Sequence, residues 1–238
     1  MIGPQGVVPK IAVFNRATVP LELDLDKLVT ALQRYVDRCM VPAWGTPAKI
    51  VKSRGFLKGA WALVFLDDSD HAKALAYHNL TPDGLPVAKV FVKDVVRDGY
   101  PLSGIASHEL SEMLVDPALN LYSTGPNKRW LYAYETADPV EDTFFMFRGF
   151  AMSNFVYPAY FETFRKPRST QFDYLGKLKR PYHVLRGGYQ IVLKNGKKHQ
   201  VFGSLAKAHR FRKEKREQHR SEYRGPGHHA AFLRSKAH

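Results

Sequence analysis

Cysteine, acidic side chains and long apolar runs are all scarce in this chain of 238 residues. A single cysteine, Cys39, excludes an intrachain disulfide and fits a reducing or redox-indifferent setting. Cys39 closes a helical apolar pattern, which favours a small buried hydrophobe over a nucleophile. No apolar run approaches the roughly 18 residues of a membrane span, and the first residues lack the basic-then-apolar pattern of a secretory signal. No membrane association and no signal-directed secretion are therefore expected. Asp and Glu number 22 against 36 Lys and Arg, a formal net charge of +14. The excess is uneven, because residues 197–238 hold 12 Lys and Arg against 3 Glu.

What is present is enough for a core. Hydrophobic residues make up 45% and aromatics 13%, which excludes a disordered chain and suits one or two globular domains. Lys10 to Phe14 reads as a short buried strand. Leu21, Leu25, Leu28, Leu32, Tyr35 and Val36 recur at helical spacing and predict a helix from about Asp24 to about Met40. Ala48 to Val51 and Ala60 to Leu66 read as strands, the second apolar on both faces and hence covered on both sides. Asp67-Asp68-Ser69-Asp70 reads as a solvated turn rather than a calcium loop, lacking a glutamate at its far end. His71 to Ala76 predicts a short helix or edge segment. His78 reads most simply as a polar residue near the Thr81-Pro82-Asp83-Gly84 turn, with a substrate-facing or ligand-supporting role as the alternative. Val87 to Val92 predicts another strand.

The most informative stretch is Ser107-His108-Glu109-Leu110-Ser111-Glu112-Met113-Leu114-Val115-Asp116-Pro117. It predicts a helix that follows a Gly99 to Gly104 turn and stops at Pro117, since proline lacks an N–H and disfavours helix just before it. Residues four apart share a helical face, so His108 and Glu112 point the same way and Asp116 lies a turn beyond. Glu109 is rotated by about 100 degrees. An imidazole and a carboxylate at i and i+4 can fix one metal, and a carboxylate at i+1 can serve as general base to a bound water. The bland alternative is an amphipathic helix with Leu110, Met113 and Leu114 inward and His108, Glu109 and Glu112 solvated. A metal needs a further ligand, and Glu135-Thr136-Ala137-Asp138 supplies candidates. Glu135 is the first choice and Asp138 the second, the other orienting a ligand. Asp116 is a third possibility, but it reads as a cap or support, since the chain turns away at Pro117. The alternative for this loop, which continues to Glu141 and Asp142, is an acidic surface balancing a basic protein.

The order strand, helix, three strands and then the His108 helix resembles the N-terminal half of the zincin metalloproteases. There an edge strand aligns peptide above the active-site helix, and Val87 to Val92 falls where that strand would. His108-Glu109-x-x-Glu112, Asp116-Pro117 and Glu135-x-x-Asp138 together resemble the H-E-x-x-E zincin-like proteins of bacteriophages and bacteria, and more distantly the exordium-like proteins of plants. The likeness spans about residues 10 to 165 and is most specific over 104–142. It departs from the main zincins, which carry histidine at the position of Glu112 and no Asp-Pro helix end. The resemblance implies an α+β fold: a zincin-like mixed sheet with an active-site-type helix, followed by an extended arm and a basic C-terminal tail. It implies zinc, or another divalent cation, held by His108, Glu112 and Glu135 or Asp138, with Glu109 as base. The implied activity is that of a metal-dependent hydrolase, a metallopeptidase acting on peptide or protein. The alternative is an inactive zincin-like structural protein of a phage virion. Host cytoplasm or virion is the corresponding location.

Phe144 to Phe161 is aromatic-rich, and its Met152 reads as core filling or as a methionine floor beneath a metal. The composition shifts at Arg165, which suggests boundaries of 1–164 for the zincin-like domain, 165–204 for the arm and 205–238 for the tail. Asn195-Gly196 marks a hairpin turn in the arm. Arg210, Arg212, Lys213, Lys215, Arg216 and Arg220 lie among too few apolar residues to form a core, and suit nonspecific contact with nucleic acid phosphates or with virion neighbours. A merely solubilising tail is the alternative.

Overall fold

The computed structural model describes residues 8–70 and 74–208. His71 to Lys73, at the start of the expected short segment, and the basic residues Arg210, Arg212, Lys213, Lys215, Arg216 and Arg220 lie outside the described residues.

The fold of the described residues is mixed α and β, with three sheets and few helices. Strands β1 (Lys10–Asn15), β2 (Lys49–Lys52), β3 (Trp61–Leu66), β4 (Ala76–Leu80) and β5 (Pro86–Phe91) form one sheet in the order β2-β1-β3-β5-β4. All neighbours are parallel except β4 and β5, which form an antiparallel hairpin about the Thr81–Gly84 turn. The expected edge strand, Val87 to Val92, is thus interior, and β4 is the edge strand on that side, with β2 at the other edge. The pairing explains the difference: β5 joins β3 in parallel, and the tight turn sets β4 on the other side of β5, where it is outermost. Helix α1 (Leu25–Tyr35) starts at Asp24, whose carboxylate accepts from the backbone N–H of Asp26 and Lys27 at 3.0 and 3.1 Å. It continues through a wider turn, Val36–Met40, into the short α2 (Val41–Trp44), and Cys39 is buried there.

Alternation along the strands sorts side chains onto two faces. Ile11, Val13, Leu63, Phe65, Ala88 and Val90 face α1 and the central helix in the main core. Ala12, Phe14, Ala62, Val64 and Val87 form a smaller cluster behind, where the exposed Phe56 ring meets Phe14 at 5.0 Å.

After α3 (Val92–Arg97), the central helix α4 runs over Leu102–Val115, and all 14 of its residues are buried. It starts before the expected point, because Gly104 lies inside it. The absent side chain has a packing reason: a Cβ there would stand 2.6 Å from the Phe144 ring. Burial all round follows from position, with the five-stranded sheet on one side and a hairpin of β8 (Phe144–Phe147) and β9 (Phe150–Ser153) on the other. Ser103 donates to the Ala151 carbonyl, and Ser107 accepts from the Ser153 N–H, both at 2.8 Å. Met152, on β9, belongs to the main core.

The third sheet is antiparallel, in the order β11-β10-β7-β6, from β6 (Tyr122–Thr124), β7 (Trp130–Ala133), β10 (Tyr189–Lys194) and β11 (Lys197–Phe202). Asn195 and Gly196, at φ 50° and 74°, make the tight turn between β10 and β11. The segment after Arg165 is therefore laced into the body: β10 pairs with β7, and Phe172 and Leu178 pack with Val140, Val156 and Tyr160. The Asp67–Asp70 turn is held by direct partners. Asp67 accepts from Thr18 and Val19, Asp68 pairs with Lys93, and Asp70 pairs with Lys89. No helix of the described residues is long and apolar enough to cross a membrane.

Candidate metal centre

Three elements bring ionisable groups into one buried volume. Helix α4 contributes His108, Glu109 and Glu112; edge strand β4 contributes His78; the loop after β7 contributes Glu135 and Asp138. None of these six residues is more than 5% exposed. The solvated-helix and acidic-surface alternatives are thereby excluded. Burying ionisable groups costs several kcal/mol each, roughly, unless partners or a cation compensate, so this concentration calls for compensation.

The first group is His108, Glu112 and Asp138. Nε2 of His108 lies 3.4 Å from Oε1 of Glu112 and 3.3 Å from Oδ1 of Asp138. The ring nitrogen is buried, and although both oxygens are within reach, neither lies in the direction a hydrogen bond from it requires. Donor atoms about 2.0–2.1 Å from one tetrahedral ion stand about 3.3–3.4 Å from each other. One ring nitrogen with two carboxylate oxygens at that spacing from it suits a divalent cation, or a proton on the ring in its place. Oε1 of Glu112 also accepts from the backbone N–H of Ala137 and Asp138, both at 3.2 Å, which fixes the loop against the helix. Ser111 donates to the His108 carbonyl and takes a bond from Thr136, a second tie between the same segments.

The second group is His78, Glu109 and Glu112. Nδ1 of His78 lies 3.5 Å from Oε2 of Glu109 and 3.9 Å from Oε2 of Glu112. Its Nε2 is 3.3 Å from the backbone oxygen of Asp116. Asp116 closes the helix, and its carboxylate accepts from Asn120 and Leu121, the supporting role expected for it.

Asp138, the second choice from the sequence, shares the group with His108 and Glu112. Glu135 is buried nearby and belongs to neither group; its charge acts on both His78 and Glu112. His78 is the participant that the sequence reading undervalued. Its parity was the available signal: on β4 it shares a face with Ala76, which packs in the main core, whereas Tyr77 points to the opposite cluster with Phe91.

Electrostatics match this crowding. For His78 burial works against the charged ring, but the hydrogen bond and charge of Glu109, with Glu135 and Glu112, outweigh it and push the pKa up to about 9. Burial likewise opposes the charged form of His108, yet Glu112, Asp138 and Glu109 hold its pKa well above the usual histidine range. Burial raises the Glu112 carboxyl to about 8, with Asp138 and Glu135 adding and His108 opposing. Protons and a divalent cation would compete for the same lone pairs.

Further along the same loop, Glu141 meets Lys207, which follows β11, at 2.7 Å, both side chains being almost fully buried. Comparison with known proteins gives no match to a family model, a curated protein or a solved structure.

Proposed function

We propose that this protein is a zincin-like metal-dependent hydrolase that acts on peptide bonds. His108, Glu112 and Asp138 would hold the metal, and Glu109 would accept a proton from the attacking water. The single observation that carries the reading is the buried Nε2 of His108, which lacks a hydrogen bond while two carboxylate oxygens converge on it at 3.3 and 3.4 Å. The donor set of one imidazole and two carboxylates suits zinc and also harder divalent ions such as manganese. When bound, such a cation lowers the pKa of a water and polarises a carbonyl. The chain's own residues do the rest. Glu112 is oriented by the N–H groups of Ala137 and Asp138, and Glu109 lies one residue from His108 on the same helix. The test is elemental analysis of the purified full-length protein with a casein and peptide panel. At least one bound divalent ion per chain and hydrolysis abolished by Glu109→Gln are expected; a chain that binds no metal defeats the reading.

One observation favours a second reading. His78, Glu109 and the three proposed ligands are 5% exposed or less, whereas a catalytic metal keeps one position open. A sealed centre suits a zincin-like platform in which metal serves stability alone, as in a virion protein whose segment after Arg165 and basic tail contact neighbours or packaged nucleic acid. Metal retention with no turnover of any peptide, and co-sedimentation with particles, would select that reading.

A further inference from the structure

Glu112 faces two ways. Its Oε1 belongs to the group with His108 and Asp138, while its Oε2 is turned toward Nδ1 of His78. His78 is set for ligation on that side. Its Nε2 lies 3.3 Å from the Asp116 backbone oxygen, an atom that can only accept, so Nε2 carries the hydrogen. In the neutral ring the lone pair is then on Nδ1, the nitrogen that lies 3.5 Å from Oε2 of Glu109 and 3.9 Å from Oε2 of Glu112. Fixing a ligand tautomer by a hydrogen bond from the opposite ring nitrogen to a carbonyl is a recurrent feature of metal-binding histidines. A lone pair this close to two carboxylate oxygens is repulsive unless a positive charge lies between them, either a proton or a cation.

We propose a second divalent-cation position formed by His78, Glu109 and Glu112, with Glu112 bridging it to the position held by His108 and Asp138. A carboxylate offering one oxygen to each of two ions joins them at the separation of roughly 3.5–4 Å found in two-metal sites. The inference rests on the metal-binding part of the proposed function and extends it. It also changes the state of Glu109: with this position filled, Glu109 is a ligand and no longer accepts a proton. Filling the second position and hydrolysis through Glu109 therefore exclude one another.

The experiment is equilibrium dialysis of the full-length metal-free chain against Mn²⁺ alone, read by elemental analysis and by electron paramagnetic resonance. Two Mn²⁺ per chain and a spin-coupled spectrum are expected. His78→Ala should bind one Mn²⁺ with an isolated-ion spectrum. Glu109→Gln, which keeps the shape of the side chain, should do the same and covers the case in which the alanine variant fails to fold. Asp138→Asn should weaken the other position. One Mn²⁺ in the unmodified chain, unchanged by Glu109→Gln, overturns the second position while leaving the first intact. No bound Mn²⁺ at all overturns both.

Discussion

Nδ1 of His78 stands 3.5 Å from Oε2 of Glu109, tying the outermost strand of the five-stranded sheet to its central helix through two side chains that water scarcely reaches. The contact places the edge strand directly over the carboxylate that a hydrolytic mechanism would require. It makes the behaviour of Glu109 the sharpest test of what the centre does.

Replacing Glu109 by Gln removes a proton acceptor with little change in shape. Peptide hydrolysis should fall by about 10²–10⁴-fold, the usual contribution of a general base. Binding at the position of His108, Glu112 and Asp138 should persist, as dialysis of the variant would reveal. Undiminished turnover by this variant would remove Glu109 from the chemistry.

Asp138 and Glu135 are separable by the same dialysis. Asp138 converges on Nε2 of His108 and Glu135 does not belong to that group. Asp138→Asn should lower affinity at that position by more than about 100-fold, beyond the roughly 10–100-fold typical of supporting residues, whereas Glu135→Gln should stay within that supporting range. The reverse order would transfer the ligand role to Glu135.

The metal-free chain should lose stability as pH rises. The pKa of His78 in the folded chain, about 9, lies above its unfolded value of 6.5; its contribution is full below pH 6.5 and is lost as pH climbs through about 9. The folded pKa of Glu112, about 8, also exceeds its unfolded value of 4.5, so folding favours its protonated form and stability drops between those values. Both act in the same direction between pH 6.5 and 8. Urea midpoints measured across pH 6 to 9 should decline without metal, and a divalent cation should flatten the decline by replacing the protons. A midpoint that rises with pH would contradict the burial described.

Lys207 and Glu141 provide a test of how the last part of the described chain is attached. Their side chains are 3% and 5% exposed at 2.7 Å separation. Lys207→Ala leaves a buried carboxylate without this partner and should cost about 3–5 kcal/mol in denaturant unfolding, while Lys207→Met with Glu141→Gln should recover most of it. A near-neutral single variant would mean that this end of the chain contributes little to the fold.

The basic residues from Arg210 to Arg220 are proposed to meet phosphates. Removing residues 209–238 should abolish most of the salt dependence of binding to duplex DNA, measured by fluorescence anisotropy over a salt series. An unchanged slope would assign the contact elsewhere.

Several features of the fold were legible from the chain alone because they are local. The apolar spacing read as a helix from about Asp24 to about Met40 gives α1 and the wider turn after it, the two-sided run from Ala60 to Leu66 gives the covered strand β3, and Asn195-Gly196 gives the hairpin turn. The alignment of His108 with Glu112 follows from helical pitch, and the supporting role of Asp116 from Pro117 beside it. These are short-range consequences of dihedral preference and periodicity. Only the tertiary structure decided which acid meets His108, which strand forms the edge, and that His78 faces Glu109. The meeting of Asp138 with His108 depends on how the loop after β7 docks on α4, its Ala137 and Asp138 N–H groups donating to Glu112. The position of His78 depends on a hairpin register, His78 opposite Ala88, that brings its face down onto α4. Such contacts join residues far apart in sequence through packing, and periodicity along the chain does not encode them.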